Sequence, residues 1–248
     1  MHSIYNPTKF KKMLTTEKVT KAKGKAVTKT KYVSNFTNGE GKKKQIGREK
    51  YVNYVMETGI DKHNILSLSA DNCITELMLQ KKLGPSNLKL NLCENDTNVF
   101  KKLLQKVDLF NEFPPSFNFC NIADKIYSAR KNEYTSINGD YCCQIGAIKD
   151  EVEYTLKSDI ICLHGIYCIN VAHRSSGNRT ADFLRTYLMS NPNRCKQYIT
   201  DVEWAINTFL NRQCEDKWQL LETYTYKDID EKGNPHQSMI TFILKRIK

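Results

Sequence analysis

Apolar and polar positions change rhythm along the chain, and each change marks an element. In REKYVNYVMETG (48–59), Tyr51, Val52, Val55 and Met56 share one helical face, and Gly59 supplies a stop. In NILSLSADNCITELML (64–79), a short apolar run breaks at a polar corner and turns helical, so a strand feeds a helix that ends at Gly84. NLKLNLCE (87–94) alternates and reads as a strand. Asn95-Asp96-Thr97 can cap a helix through VFKKLLQKV. FPPSF (113–117) reads as a loop, because two prolines exclude helix and central strand. IADKIYSAR is helical, YTSINGDYC is a strand with Gly139 at its turn, and DEVEYTLKS is a short helix. DIICLHG (159–165) is a buried strand and YCINVAHR (167–174) a further apolar run. ADFLRTYLMS and ITDVEWAINTFLNRQ are helices, and WQLLETYTYKD pairs with SMITFILKRIK as a hairpin across a GNP turn.

Strand and helix therefore alternate over 48–248. That pattern predicts an α/β domain with a mostly parallel sheet, helices on both faces and a C-terminal antiparallel hairpin. Ligands of such sheets bind beyond the carboxyl ends of the strands.

Charge adds a second feature. The net charge is +11, and residues 1–50 carry 14 Lys/Arg against 3 Asp/Glu, so the whole excess lies there. Residues 1–47 read as a basic, flexible N-terminal arm, with NGEGKKKQIG as a loop. Such an arm suits a polyanion, DNA or RNA. Its candidate contacts are Lys9, Lys11, Lys12, Lys21, Lys23, Lys25, Lys29, Lys31, Lys42, Lys43 and Lys44. The plainer reading is a solvated tail. Residues 9–31 show little apolar face, which disfavours a membrane surface.

No apolar run reaches the length of a membrane helix, and the N-terminus lacks a secretory h-region. Nine scattered cysteines, an odd number without repeated spacing, suggest free thiols in a reducing compartment, cytoplasmic or nuclear, and no metal site. The Lys-, Asn-, Ile- and Tyr-heavy composition suggests an AT-rich genome, such as that of a virus or mobile element.

The element order resembles the Rossmann-like S-adenosylmethionine-dependent methyltransferases over roughly residues 48–248. In that resemblance the first-motif turn is Ser67 to Asn72. It implicates Ser67, Ser69, Ala70 and Asp71 in cofactor binding, although no glycine lies between Ile65 and Leu83 where the family favours several. Glu94 matches the acid that accepts from the ribose hydroxyls, with Asn95 and Asp96 beside it and Asp96 as the fallback. Gly139-Asp140-Tyr141 matches the loop where an acid meets the adenine amino group and a side chain lies against the ring. DIICLHG matches the fourth strand, whose end faces the methyl group. The family members acting on exocyclic base nitrogens carry D/N/S-PP-Y/F there, and Leu163-His164-Gly165-Ile166-Tyr167 does not match.

His164 is then the candidate general base, with Tyr167 beside it. The structural alternative is a histidine satisfied by a backbone carbonyl. Arg174 and Arg179, in HRSSGNR, could hold a phosphate or lie in a surface loop. The run YTYKD, which holds Tyr224 and Tyr226, alternates faces, which would leave half of it in the core. Two functions follow. One is a methyltransferase acting on nucleic acid. The other is an inactive subunit of that fold, which binds nucleic acid or scaffolds a replication, transcription or repair assembly. A P-loop or dinucleotide enzyme lacks its motif here.

Overall fold

The computed structural model describes residues 39–69, 72–110, 113–173, 183, 186–187, 198–229 and 235–248. The candidate residues Lys9 to Lys31, Ala70, Asp71, Arg174 and Arg179 lie outside these residues, as does the side chain of Lys42.

Helix α1 (Gly39–Met56) leads into β1 (His63–Leu68), α2 (Ile74–Leu83) and β2 (Leu88–Glu94). Then come α3 (Thr97–Leu104), β3 (Ser116–Phe119), α4 (Ile122–Tyr127), β4 (Tyr134–Asp140) and α5 (Ile145–Lys157). Strand β5 (Ile161–Ala172), α6 (Tyr198–Cys214), β6 (Trp218–Ile229) and β7 (Pro235–Arg246) complete the described elements. The seven strands form one sheet in the order β3-β2-β1-β4-β5-β7-β6. Strands β1 to β5 are parallel, and β7 is antiparallel to both neighbours.

Each face buries its own cluster. One joins Tyr51, Val52 and Val55 of α1 and Leu79 of α2 to Ile65, Leu92, Ile166 and Ile243. The other joins Ile126 of α4, Val152 of α5 and Phe209 of α6 to Leu66, Ile137, Ile169 and Phe242. Strand residues alternate between the clusters, as a pleat covered on both sides requires.

The predicted fold is the observed one, with three corrections to its parts. From Gly39 on, GEGKKKQIG is helical, not a loop, and α1 runs through 47–48 without a break. FPPSF is a loop only as far as Pro115. Ser116 starts β3, a four-residue edge strand on which the preceding prolines cost no ladder bonds. The runs DIICLHG and YCINVAHR contribute to a single strand, β5, over Ile161–Ala172.

The missed β3 shifts the strand count by one. Tyr134–Asp140 is therefore the fourth strand, Gly139 lies within it rather than at a turn, and DIICLHG opens the fifth.

Strand β5 is broken near its start. Tyr134 pairs with Ile161, but Ser136 pairs with Ile166, so extra residues bulge from β5. Leu163 and His164 are thrown out to solvent, and His164 takes a left-handed φ of 67°. Gly165 lets the strand return, since a Cβ there would meet the Thr135 carbonyl oxygen at 2.6 Å and that of Cys162 at 2.9 Å. Both neighbours are backbone and cannot swing aside. Gly165→Ala should therefore destabilise the domain by about 1–3 kcal/mol, read as a lower urea midpoint with the slope unchanged.

Candidate functional site

Chain direction across the sheet reverses between β1 and β4. From β1 the chain moves outward through β2 and β3, then returns to β4 and moves the other way. The crevice of such a sheet opens there, beyond the carboxyl ends. Register lines up the rim. Leu68 pairs with Cys93, and Ser67 with Asn138, so Ser69 comes level with Glu94 on one side and Asp140 on the other. Glu94 pairs with Phe119, Asp140 with Asn170, Asn170 with Thr241, and Thr241 with Tyr224. The row lies on the face that α1 covers.

At the reversal, Asn138 Nδ2 donates to Ser67 Oγ at 3.1 Å, and Ser67 Oγ donates to Glu76 Oε1 at 2.5 Å. All three residues are buried. Burial raises the Glu76 carboxyl pKa, against which hydrogen bonds from Ser67 and Ser69 and the Arg48 charge act. The glycine-free turn thus points both serine hydroxyls inward. Cys73 makes the turn into α2 in the left-handed region, φ 49°.

Glu94 is half-buried, and burial raises its carboxyl pKa while the amides of Asp96 and Asn95 pull it down. Its Oε1 accepts from the Asp96 amide at 2.6 Å. Asp96 caps α3, with Oδ1 accepting from the amides of Asn98 and Val99. Asp96 has a structural task there, and Asn95 is exposed in the connection. Phe119, exposed at the end of β3, packs against Phe100 with centroids 5.2 Å apart.

Asp140 ends β4. Its Oδ1 accepts from Asn170 Nδ2 at 2.6 Å and from the Cys142 thiol at 3.4 Å. Asn170 also donates to Tyr226 Oη at 2.8 Å and accepts from Thr241 at 2.9 Å. Asn138 Oδ1 and Asp140 Oδ2 accept no hydrogen bond among the described residues. Both residues line a cavity of about 30 Å³ with Lys44 and Arg48 of α1 and the tyrosines of β6, room for water. Tyr224 and Tyr226, two residues apart on β6, share a face, with ring centroids 6.3 Å apart. Lys44 Nζ lies 5.6 Å from the Tyr226 ring. Gly47 permits this packing, because a Cβ there would meet Tyr224 Oη at 1.9 Å.

Three candidates move away from the cleft. His164 sits in the bulge, which falls before the pairing of Ser136 with Ile166 and so lies at least four strand residues behind the rim at Asp140 and Asn170. Tyr167 is buried on the opposite face, with its hydroxyl 3.1 Å from that of Tyr141. Tyr141 is likewise turned into the core, and its ring fills the space where a Gly139 Cβ would stand. None of the three can meet a ligand at the rim. Phe119 and Asn170 were missed because they lie on a strand that was not read and on the continuation of one that was cut short. Glu76 and Asn138 carry no sequence signal of their own, since a lone polar residue in ITELMLQKKL or YTSINGD is ordinary.

The described residues contain no cluster of His, Cys, Asp and Glu suited to a metal, and no described helix is long and apolar enough to cross a membrane. No protein-family model matches the chain, and no curated protein matches it. Solved structures do. A Haemophilus influenzae protein assigned as a methylase superposes with a TM-score of 0.52 at 9% identity, covering 82% of this chain and 98% of its own. The yhhF protein of Escherichia coli, assigned as a methyltransferase, gives 0.50 at 10% identity, covering 81% and 84%. A Corynebacterium glutamicum protein assigned as a spermidine synthase also gives 0.50 at 10% identity, covering 79% and 62%. The doubly wound sheet with its reversed seventh strand is thus the Rossmann-like α/β fold that these solved structures share.

Glu151 carries the kind of shift that marks functional acids, yet it belongs to α5 on the far face. Burial, with repulsion from Asp124, pushes its carboxyl up to about 7. Folded protein therefore holds this proton where the unfolded chain, at 4.5, has lost it. The stability from Glu151 is complete below 4.5 and is lost as pH rises through about 7. Glu151→Gln should then raise the melting temperature at pH 8 and leave it nearly unchanged at pH 4, as thermal scans at both values can test.

Proposed function

We propose that the protein binds S-adenosylmethionine beyond β1, β2 and β3 and methylates an amino nitrogen of a nucleic-acid base. The observation that carries this reading is the pair Asn138 and Asp140 on the fourth strand, each with one oxygen that accepts nothing among the described residues. A primary amine has two N–H groups for two such acceptors, whereas a hydroxyl has one. The end of β4 and the residue after it read Asn138-Gly139-Asp140-Tyr141, which keeps the first and last residues of the D/N/S-PP-Y/F pattern but replaces both prolines and turns the tyrosine inward.

The adenosine end of the cofactor is matched by chemistry present at the rim. Glu94 offers a carboxylate to the ribose hydroxyls, and Phe119 an exposed ring to the base. Bound there, S-adenosylmethionine supplies a methyl group on a sulfonium centre. Asn138 and Asp140 accept the two N–H bonds and aim the nitrogen lone pair along the cleft. Asp140, held by Asn170, receives the proton that the amine sheds. Lys44 and Arg48 beside the cavity, with the lysines of the N-terminal segment, suit the phosphate backbone.

A second reading has its own support. Ser67 and Ser69 at the turn are engaged with Glu76, so the amino-acid end of the cofactor meets fewer open donors than a glycine-rich turn would give. That favours the subunit that binds nucleic acid without methylating it.

Calorimetric titration with S-adenosylhomocysteine separates the two. Binding should weaken at least about tenfold in Glu94→Ala, because hydrogen bonds to a charged group are lost. With labelled S-adenosylmethionine and a mixed DNA and RNA pool, Asp140→Asn should lower methyl incorporation about a hundredfold while S-adenosylhomocysteine still binds. No heat from the folded wild-type protein would establish the inactive subunit instead.

A further inference from the structure

Cys93 and Cys120 stand at the ends of neighbouring strands with their sulfurs 3.8 Å apart. Cys93 is the penultimate residue of β2 and is sealed in the core. Cys120 directly follows β3 and is partly exposed. Their chain neighbours, Glu94 and Phe119, are register partners across β2 and β3. Both thiols are free.

We infer that Cys120 is an oxidative modification site with Cys93 as its resolving partner, so that a peroxide closes a reversible disulfide at the rim of the cleft. Exposure sets the order of events, since solvent reaches Cys120 and not Cys93. The Cys120 thiolate attacks a peroxide oxygen, the O–O bond breaks, and sulfenic acid forms while the departing hydroxide takes the proton released by the thiol and leaves as water. The Cys93 sulfur then attacks the sulfenic sulfur. The S–O bond breaks, and the departing hydroxide takes the Cys93 proton as a second water. Two thiols are oxidised by two electrons and one peroxide is reduced.

Burial keeps the Cys93 thiol protonated, and a Cys120 thiolate beside it adds repulsion. A neutral sulfenic acid removes that repulsion just when Cys93 must react. Closing the gap from 3.8 Å to a bond of about 2.05 Å draws the end of β3 toward β2. Phe119 and Glu94, one residue from each sulfur, move with it. The effect on cofactor affinity rests on the function proposed above, but the disulfide itself does not.

The test treats the full-length protein with stoichiometric hydrogen peroxide, followed by peptide mapping without reduction. The expected product is one linked peptide pair containing Cys93 and Cys120, released by dithiothreitol and absent in Cys120→Ser. Amide exchange at 94–96 and 119–123 should change on oxidation in the wild type and not in Cys120→Ser. S-adenosylhomocysteine should bind the oxidised form at least about fivefold more weakly. Oxidation of the exposed Cys142 with Cys120 still reduced would overturn the proposal, and so would a link formed without any change in exchange. If the reduced protein binds no S-adenosylhomocysteine, the cofactor reading fails, while the mapping and exchange results still decide the disulfide.

Discussion

The rim is organised by the pairing of β1 with β4, the two strands between which the chain reverses its path. Only three register pairs join them, Ile65 with Ser136, Leu66 with Ile137 and Ser67 with Asn138. At the last pair, side chains extend the ladder through Asn138, Ser67 and Glu76. A buried carboxyl is costly unless it is hydrogen-bonded, and here the serines of the turn supply the bonds. At the other end of this seam, Tyr51 of α1 meets Ser136 Oγ at 2.8 Å, and Ser136 donates to the Ile166 carbonyl. The first helix, the switch point and the fifth strand are thus tied by polar contacts inside an otherwise apolar layer.

That seam also answers what a turn without glycine can do. Glycine in such a turn allows a ligand to approach the backbone. Here Ser67 and Ser69 are both buried, and their hydroxyls serve an internal acid. The turn keeps its place in the fold while its polar capacity is partly directed inward. In the proposed function, ligand recognition consequently falls on the strand tips to either side, Glu94 with Phe119 and Asn138 with Asp140.

Fold class was legible because it depends on alternation, and alternation survives errors of a few residues. The identity of each strand was not, because it depends on count. Strand β3 has four residues, follows two prolines and carries no β-branched residue, so the alternation in SFNF is too short to set it apart from a loop. Missing it moved Gly139 and Asp140 from the end of the fourth strand to the end of the third, and it gave His164 a catalytic position. His164 also looked like a strand terminus because Gly165 follows it, whereas the glycine serves a bulge within a longer strand. Glu94 was legible because an acid closing an alternating run stays at the strand end in any register. Tyr141 and Tyr167 were not, since which face a tyrosine takes depends on partners from distant segments.

Asn170 shows how such distant segments define the cleft. It lies on β5 and bonds at once to Asp140 of β4, Tyr226 of β6 and Thr241 of β7. With both amide hydrogens donated and its oxygen accepting, the side chain has a defined orientation. That orientation leaves Asp140 one engaged oxygen and one turned to no protein donor among the described residues. The antiparallel hairpin is therefore more than a cover for the sheet edge. By presenting Tyr226 and Thr241 to Asn170, it fixes a carboxylate two strands away. Removing the hairpin's hydroxyls would free Asn170 to rotate, and Asp140 would lose its orientation although no residue of β4 had changed.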